Sequence, residues 1–354
     1  MTRMDRVILL RLGSRIALTV LVVFGIIILS ESLNTWRFAS LSRIGGPLLG
    51  VAGIVVTSAR WALDTLPVTL LIGAIIGLLD LQARRELTVI KATGLSVWRI
   101  LRTPLIGVVV LSIVTAAVAD TAVVSISRAL SISLPQAGSS DELWLGENGA
   151  DGREYVIYSP SPGASGTFLD NAIVFLAGSA VGSGRIHAER VELEPGAWQV
   201  VSGTRYAPDQ APRPADGLRL PTTTTPADMG VRLRSASELT FFEIAAALSQ
   251  GISDPVLRAK VEMRFFRLIS LPLTLGGSLL IAFAFTAGYR RTNKYGTTVL
   301  YGIVLGFVVY VITEMAALAG AAGVLRPSFA AIAPAIVAMV IGTTVLLFRE
   351  DGRI

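Results

Sequence analysis

Residues 104–127 read PLIGVVVLSIVTAAVADTAVVSIS, a run of 24 residues whose one charge is Asp120. A hydrocarbon layer about 30 Å thick needs roughly 20 apolar residues in a helix to cross it. In lipid every backbone N–H and C=O must be satisfied within the segment, so the run reads as a helix. Five more stretches have the same character: 16–36, 61–81, 268–288, 297–319 and 329–348. Segment 45–57, GGPLLGVAGIVVT, is also apolar, but at 13 residues it is too short to cross and reads as an interfacial or re-entrant helix.

Composition agrees with a membrane bundle. Apolar residues make up 52% of the 354 and charged residues 16%, with a mean hydropathy of +0.65. Ordinary soluble domains carry about 25% charged residues, which argues against a soluble globule. The net charge of +6 alone would fit a nucleic-acid binder, but such domains are more charged and less apolar. The absence of cysteine excludes thiolate metal sites and cysteine nucleophiles, and a single histidine, His187, leaves no imidazole cluster for a metal. The three lysines (91, 260 and 294) lie outside any GxxxxGK[ST] loop, so the chain shows no P-loop of its own.

Charge then orients the spans. Arg3, Arg6, Arg11 and Arg15 precede the first apolar run, and no small-residue cleavage site comes after it, which fits an uncleaved anchor. With the N-terminus inside, the inner segments hold 14 Lys/Arg against 9 outside, counting those that border the large loop. The positive-inside bias therefore predicts both termini cytoplasmic and the large loop external.

That loop, 129–262, differs in kind. It holds 16 Asp/Glu and 10 Lys/Arg, so it is −6 while the rest of the chain is +12. Stretches 153–159, 168–178, 185–194, 197–207 and 217–224 read as strands, Glu194-Pro195-Gly196 as a hairpin turn, and a slip in the alternation near Arg190 as a bulge. Residues 238–250 read as a helix leading back to the membrane. The expected architecture is a six-helix membrane bundle (1–128 and 263–354) with an inserted all-β domain of sandwich or jelly-roll type (129–262).

The loop after the second span, QARRELTVIKATGLSVWRIL (82–101), carries the most specific signal. Leu87, Ile90, Gly94, Val97 and Leu101 recur at helical spacing, with Arg84, Arg85, Lys91 and Arg99 largely elsewhere. A basic amphipathic helix of this kind either rests on an anionic leaflet or docks on a cytoplasmic partner. The stretch from Asp80 through Arg85-Glu86-Leu87-Thr88-Val89-Ile90-Lys91-Ala92-Thr93-Gly94-Leu95-Ser96 resembles the signature of the LptF/LptG permeases, the membrane subunits of the lipopolysaccharide export ABC transporter. Thr93 departs from it, since the family usually has a second small residue there. The resemblance extends to the Ala188…Trp198-Gln199-Val200 strand pair and to Tyr301-Gly302-Ile303, Gly306-Phe307, Gly323-Val324-Leu325-Arg326-Pro327 and Pro334. The ending, Leu347-Phe348-Arg349-Glu350-Asp351-Gly352, is more similar to the LptG branch than to LptF.

The resemblance implies a bacterial inner-membrane permease that extracts lipopolysaccharide from the outer leaflet. Arg85, Glu86, Leu87, Thr88, Ile90, Lys91, Gly94 and Ser96 would form the coupling helix against an ATPase. The implied partners are an LptF-like permease, two LptB-like ATPases, an LptC-like anchored protein and a periplasmic LptA-like bridge. This chain would bind no cofactor itself, ATP and Mg being used by the ATPase. A lipoprotein-release permease is the first rival, but such permeases typically have four spans with the large domain after the first. A non-transporting envelope scaffold is the second.

Two further sets of charges call for an account. Arg258, Lys260, Arg264 and Arg267 crowd the outer entry to the fourth span, and Arg37, Arg43 and Arg128 sit near the outer ends of spans one and three. Basic charge there runs against topology, and guanidinium and ammonium groups suit lipid phosphate or an ordinary anionic headgroup. The acids Glu31, Asp64, Asp120 and Glu314 are expected either at the interface or paired with those outer arginines, with a proton relay as the alternative. Gly73/Gly77 and Gly302/Gly306 are GxxxG pairs that permit close helix contact, within the chain or between subunits.

Overall fold

The computed structural model describes residues 3–86, 96–132, 143–148, 154–163, 167–177, 184–207, 210–234, 238–286 and 296–350. They form two compact units, Met1–Leu130 with Glu262–Ile354, and Ser131–Val261.

The first unit is helical: α1 (Arg3–Ser32), α2 (Thr35–Asp64), α3 (Leu66–Ala83), α4 (Val97–Val114), α5 (Asp120–Ile132), α8 (Pro255–Thr286), α9 (Gly296–Ala321) and α10 (Pro327–Glu350), with α8 beginning in the other unit. A five-residue π-turn, Thr115–Ala119, joins α4 to α5 in one continuous rod. Among the described residues, seven helices are long and apolar enough to cross a membrane. The extra one corrects the reading of 45–57 as too short: the helix there runs Gly45–Asp64, 20 residues. Gly45 and Gly46 leave helical geometry and break α2 from its first part. At the other end only Thr65 separates α2 from α3. Thr65 and Thr69 still donate to the carbonyls of Trp61 and Thr65, so the chain bends rather than turns back. Pro67 explains the bend, because a proline has no N–H to give the carbonyl four residues earlier. The expected span 61–81 thus straddles a kink.

Packing in this unit depends on absent side chains. A Cβ on Gly73 would lie 2.9 Å from the Ile16 Cα, and one on Gly77 2.7 Å from Leu12. Both glycines therefore let α1 lie directly on α3. Gly302 and Gly306 of α9 face Phe285 and Ile75, and Leu71, respectively. Both GxxxG pairs are used inside the chain. The core they surround includes Leu12, Leu70, Leu71, Ile75, Leu78, Leu101, Leu279 and Phe283, all close to fully buried.

The second unit is an eight-stranded antiparallel sheet: β1 (Leu143–Asn148), β2 (Glu154–Ser159), β3 (Ser161–Pro162), β4 (Phe168–Ala177), β5 (Gly184–Glu194), β6 (Ala197–Tyr206), β7 (Arg213–Pro214) and β8 (Arg219–Pro221). The main strands meander in the order β1-β2-β4-β5-β6-β7, with β3 beside β4 and β8 beside β6. Pro195-Gly196 makes the two-residue turn between β5 and β6, with Gly196 at φ 80° and Glu194 opposite Ala197. The register shifts around Arg190, at the position where the alternation slips in the sequence. One face buries Leu145, Ile157, Val174, Ile186, Val191, Trp198 and Val200. Of the stretch 217–224 only Arg219–Pro221 is strand, and β1 is a strand that the sequence pattern does not announce.

Two short helices complete the unit, α6 (Pro226–Arg234) and α7 (Phe241–Gln250). Thr240 caps α7 in a capping box with Glu243, two N-terminal donors being satisfied reciprocally. Asp228 is buried and accepts from the Ser253 N–H at 2.9 Å, while Arg232 pairs with Asp254 at 2.8 Å.

Candidate functional site

The expected coupling helix begins as the continuation of α3 and departs from it at once. Arg84 and Arg85 form a turn, with Arg85 in the left-handed region at φ 58°. Residues 87–95 lie outside the described residues, and with them Leu87, Thr88, Ile90, Lys91 and Gly94. Helix α4 begins at Val97. Ser96, expected in the coupling helix, is instead the N-cap of α4, its hydroxyl accepting from the Arg99 N–H at 3.4 Å. Val97 and Leu101 are buried in the bundle core. A single helix over 82–101 is therefore corrected at both ends, because a left-handed residue and an N-cap each interrupt it.

Three basic residues converge on this turn. Arg15 reaches Asp80 at 3.0 Å, Arg84 reaches the same carboxylate at 3.4 Å, and Arg11 pairs with Glu86. Arg11 and Arg15 come from α1, so the arginine-rich first helix is fastened to the segment entering the expected coupling stretch. These contacts are half-exposed, and solvent screening leaves such ion pairs little individual weight in stability. Their value is positional: any displacement of Glu86 is felt by α1. In the sequence Arg11 and Arg15 read only as topological charges. The signal for their pairing is Asp80, an acid at the end of an apolar span that calls for a cation.

The second set of expected site residues divides. Arg43 on α2 and Arg258 and Lys260 on α8 are exposed, Arg128 on α5 is half-buried, and the side chain of Arg37 lies outside the described set. Arg264 and Arg267 have acidic partners. Arg264 Nη2 contacts the Asp120 carboxylate at 3.1 and 3.2 Å, with both side chains less than one-fifth exposed. Arg267 Nη2 contacts Glu314 at 2.6 Å and Asp64 at 3.5 Å. Three of the four acids noted in the spans are thus partners of the arginines on α8. Among the described residues no group of His, Asp and Glu is arranged to hold a metal.

A bundle of apolar helices with an antiparallel β domain inserted in its middle defines a multi-pass membrane protein. The family model for the lipopolysaccharide export system permease LptF/LptG matches residues 6–349, nearly the whole chain, and the protein belongs to that family. The match covers both branches alike. No curated protein matches the chain.

Proposed function

We propose that the chain is the permease subunit, of the LptG branch, of an ABC transporter that extracts lipopolysaccharide from the outer leaflet of the inner membrane. It passes the lipid to a periplasmic bridge. The family match over residues 6–349, which includes the 82–101 stretch as well as the bundle and the β domain, supports the permease reading, and the ending Leu347-Phe348-Arg349-Glu350-Asp351-Gly352 is what favours the LptG branch.

The energetics require a second component. Withdrawing an acyl chain from a bilayer costs about 0.8 kcal/mol per CH₂. The sequence has no P-loop, so a separate ATPase supplies that energy through Glu86 and its neighbours 87–94. With the Gly45–Asp64 helix not counted as a crossing of its own, six crossings and the positive-inside bias put both termini in the cytoplasm and the β domain in the periplasm. An LptF-like permease completes the pair, with an LptB-like ATPase dimer below and LptC-like and LptA-like proteins on the other side. Arg43, Arg258 and Lys260 are exposed and suit lipid phosphates.

Purification of the full chain from its native membrane tests this. The expected result is a complex containing an ATPase, with nucleotide hydrolysis that falls on Glu86→Lys or Leu87→Asp. A chain that purifies without an ATPase, and whose depletion leaves surface lipopolysaccharide unchanged, overturns the reading.

A further inference from the structure

The ionic cluster on α8 is built asymmetrically. Arg264 Nη2 meets both oxygens of one carboxylate, Asp120, at 3.1 and 3.2 Å. Arg267 has two acids on two different helices, and the same nitrogen faces both. Glu314 of α9 lies at 2.6 Å and Asp64, the last residue of α2, at 3.5 Å. One nitrogen between two carboxylates whose distances differ by less than 1 Å exchanges partners by a small movement of either helix.

The helices around the cluster are interrupted beside their charges. Asp64 precedes the kink at Thr65. Asp120 directly succeeds the π-turn Thr115–Ala119. A π-turn carries one residue more than an α-turn, so it rotates the helix beyond it by about 100°. Helix α9 is uninterrupted, but its hold is divided. Gly302 and Gly306 rest on Phe285, Ile75 and Leu71, whereas Glu314, two turns further on, is held by Arg267. Stability alone is a poor reason to keep such charges, because ion pairs in apolar surroundings seldom outdo well-packed apolar residues. Ionisable groups within spans are functional by default.

We propose that Arg267 is a partner-switching residue of the transport cycle. It holds α9 through Glu314 in the arrangement described here, and it transfers to Asp64 when the outer half of α9 moves away. Arg264–Asp120 is the fixed pair that keeps α8 in rotational register during the exchange. The role in transport rests on the permease reading above; the exchange itself does not.

Two arms separate them. The chain has no cysteine, so Val55→Cys on α2 and Leu318→Cys on α9, both exposed, can carry spin labels in the full chain in nanodiscs. Glu314→Gln is expected to bring up a second α2–α9 distance population, and Asp64→Asn to remove any second population present in the parent. Distributions identical in all three chains overturn the exchange. The activity arm uses Arg267→Glu with Glu314→Arg, which restores the 267–314 pair but sets a carboxylate at position 267 against Asp64. Transport is expected to be lost while the chain stays folded, and to return when Asp64→Lys is added. Full transport by the double variant shows a merely structural pair and overturns the proposal. If the parent chain does not transport at all, the permease reading fails while the distance arm still reports on the exchange.

Discussion

Arg264 and Asp120 meet across 144 residues of sequence, guanidinium nitrogen to both carboxylate oxygens, in the midst of apolar helices. Neither charge is tolerable there without the other, because removing one partner leaves the other buried and uncompensated. Asp120→Ala is expected to destabilise the bundle by about 3–5 kcal/mol, and Asp120→Leu with Arg264→Met to recover most of that loss. Thermal unfolding in detergent micelles reads both. A double variant as unstable as the single one would show that the pair is not what sets stability.

Gly73 tests the contact between α1 and α3. Its missing Cβ would stand 2.9 Å from the backbone Cα of Ile16, which cannot rotate away. Gly73→Ala is expected to cost about 1–3 kcal/mol through overpacking. Gly25 of α1, with nothing within 4 Å of its added carbon, is the control, and Gly25→Ala should leave the unfolding midpoint unchanged or slightly raised.

How far the sequence discloses these features depends on range. Span positions are legible because a lipid layer imposes a long apolar run locally. The Pro195-Gly196 turn and the bulge at Arg190 are legible because each is written in a few adjacent residues. Strand β1, LWLGEN, is hidden because its inward positions are Leu145 and then Glu147, an acid where the alternation calls for an apolar residue. The helix ending at Asp64 is hidden because Ser58 and Arg60 interrupt the apolar run, and Ser58 is itself fully buried. The acids in the spans could be foreseen to need cations. Which cation each one takes is a matter of helix rotation, set for Asp120 beside a π-turn that no residue pattern marks.

Glu147 is that hidden acid. It is buried, and its two carboxylate oxygens accept from the hydroxyls of Thr222 and Thr224, each at 2.7 Å. The three residues tie the edge strand β1 to the segment after β8. Thr222→Val leaves one oxygen without that donor, and the expected cost is about 1–3 kcal/mol. The Thr222 hydroxyl also accepts from the Thr224 N–H at 3.0 Å, and both variants lose that bond. Glu147→Leu together with Thr222→Val and Thr224→Val removes the three polar side chains at once and should cost less than the single threonine change. Protease susceptibility of the β domain in the intact chain ranks the variants. A triple variant cleaved faster than Thr222→Val would contradict this account.

Lys260 and Arg264 are one helical turn apart on α8, and as candidate contacts for lipid phosphate the two look equivalent in sequence. Their surroundings separate them. Lys260 is exposed, whereas Arg264 is committed to Asp120. A phosphate reaching Arg264 would have to displace a carboxylate that is already well placed, and the displaced Asp120 would then lack its cation. Charge reversal should therefore give two different phenotypes. Lys260→Glu is expected to weaken photocrosslinking of lipopolysaccharide to the chain while leaving stability within about 0.5 kcal/mol of the parent, as for other surface changes. Arg264→Glu places two carboxylates against each other in the bundle and should lower stability sharply whether or not lipid is present. Crosslinking that falls with Arg264→Glu in a chain of unaltered stability would return Arg264 to the lipid site and assign Asp120 a different task.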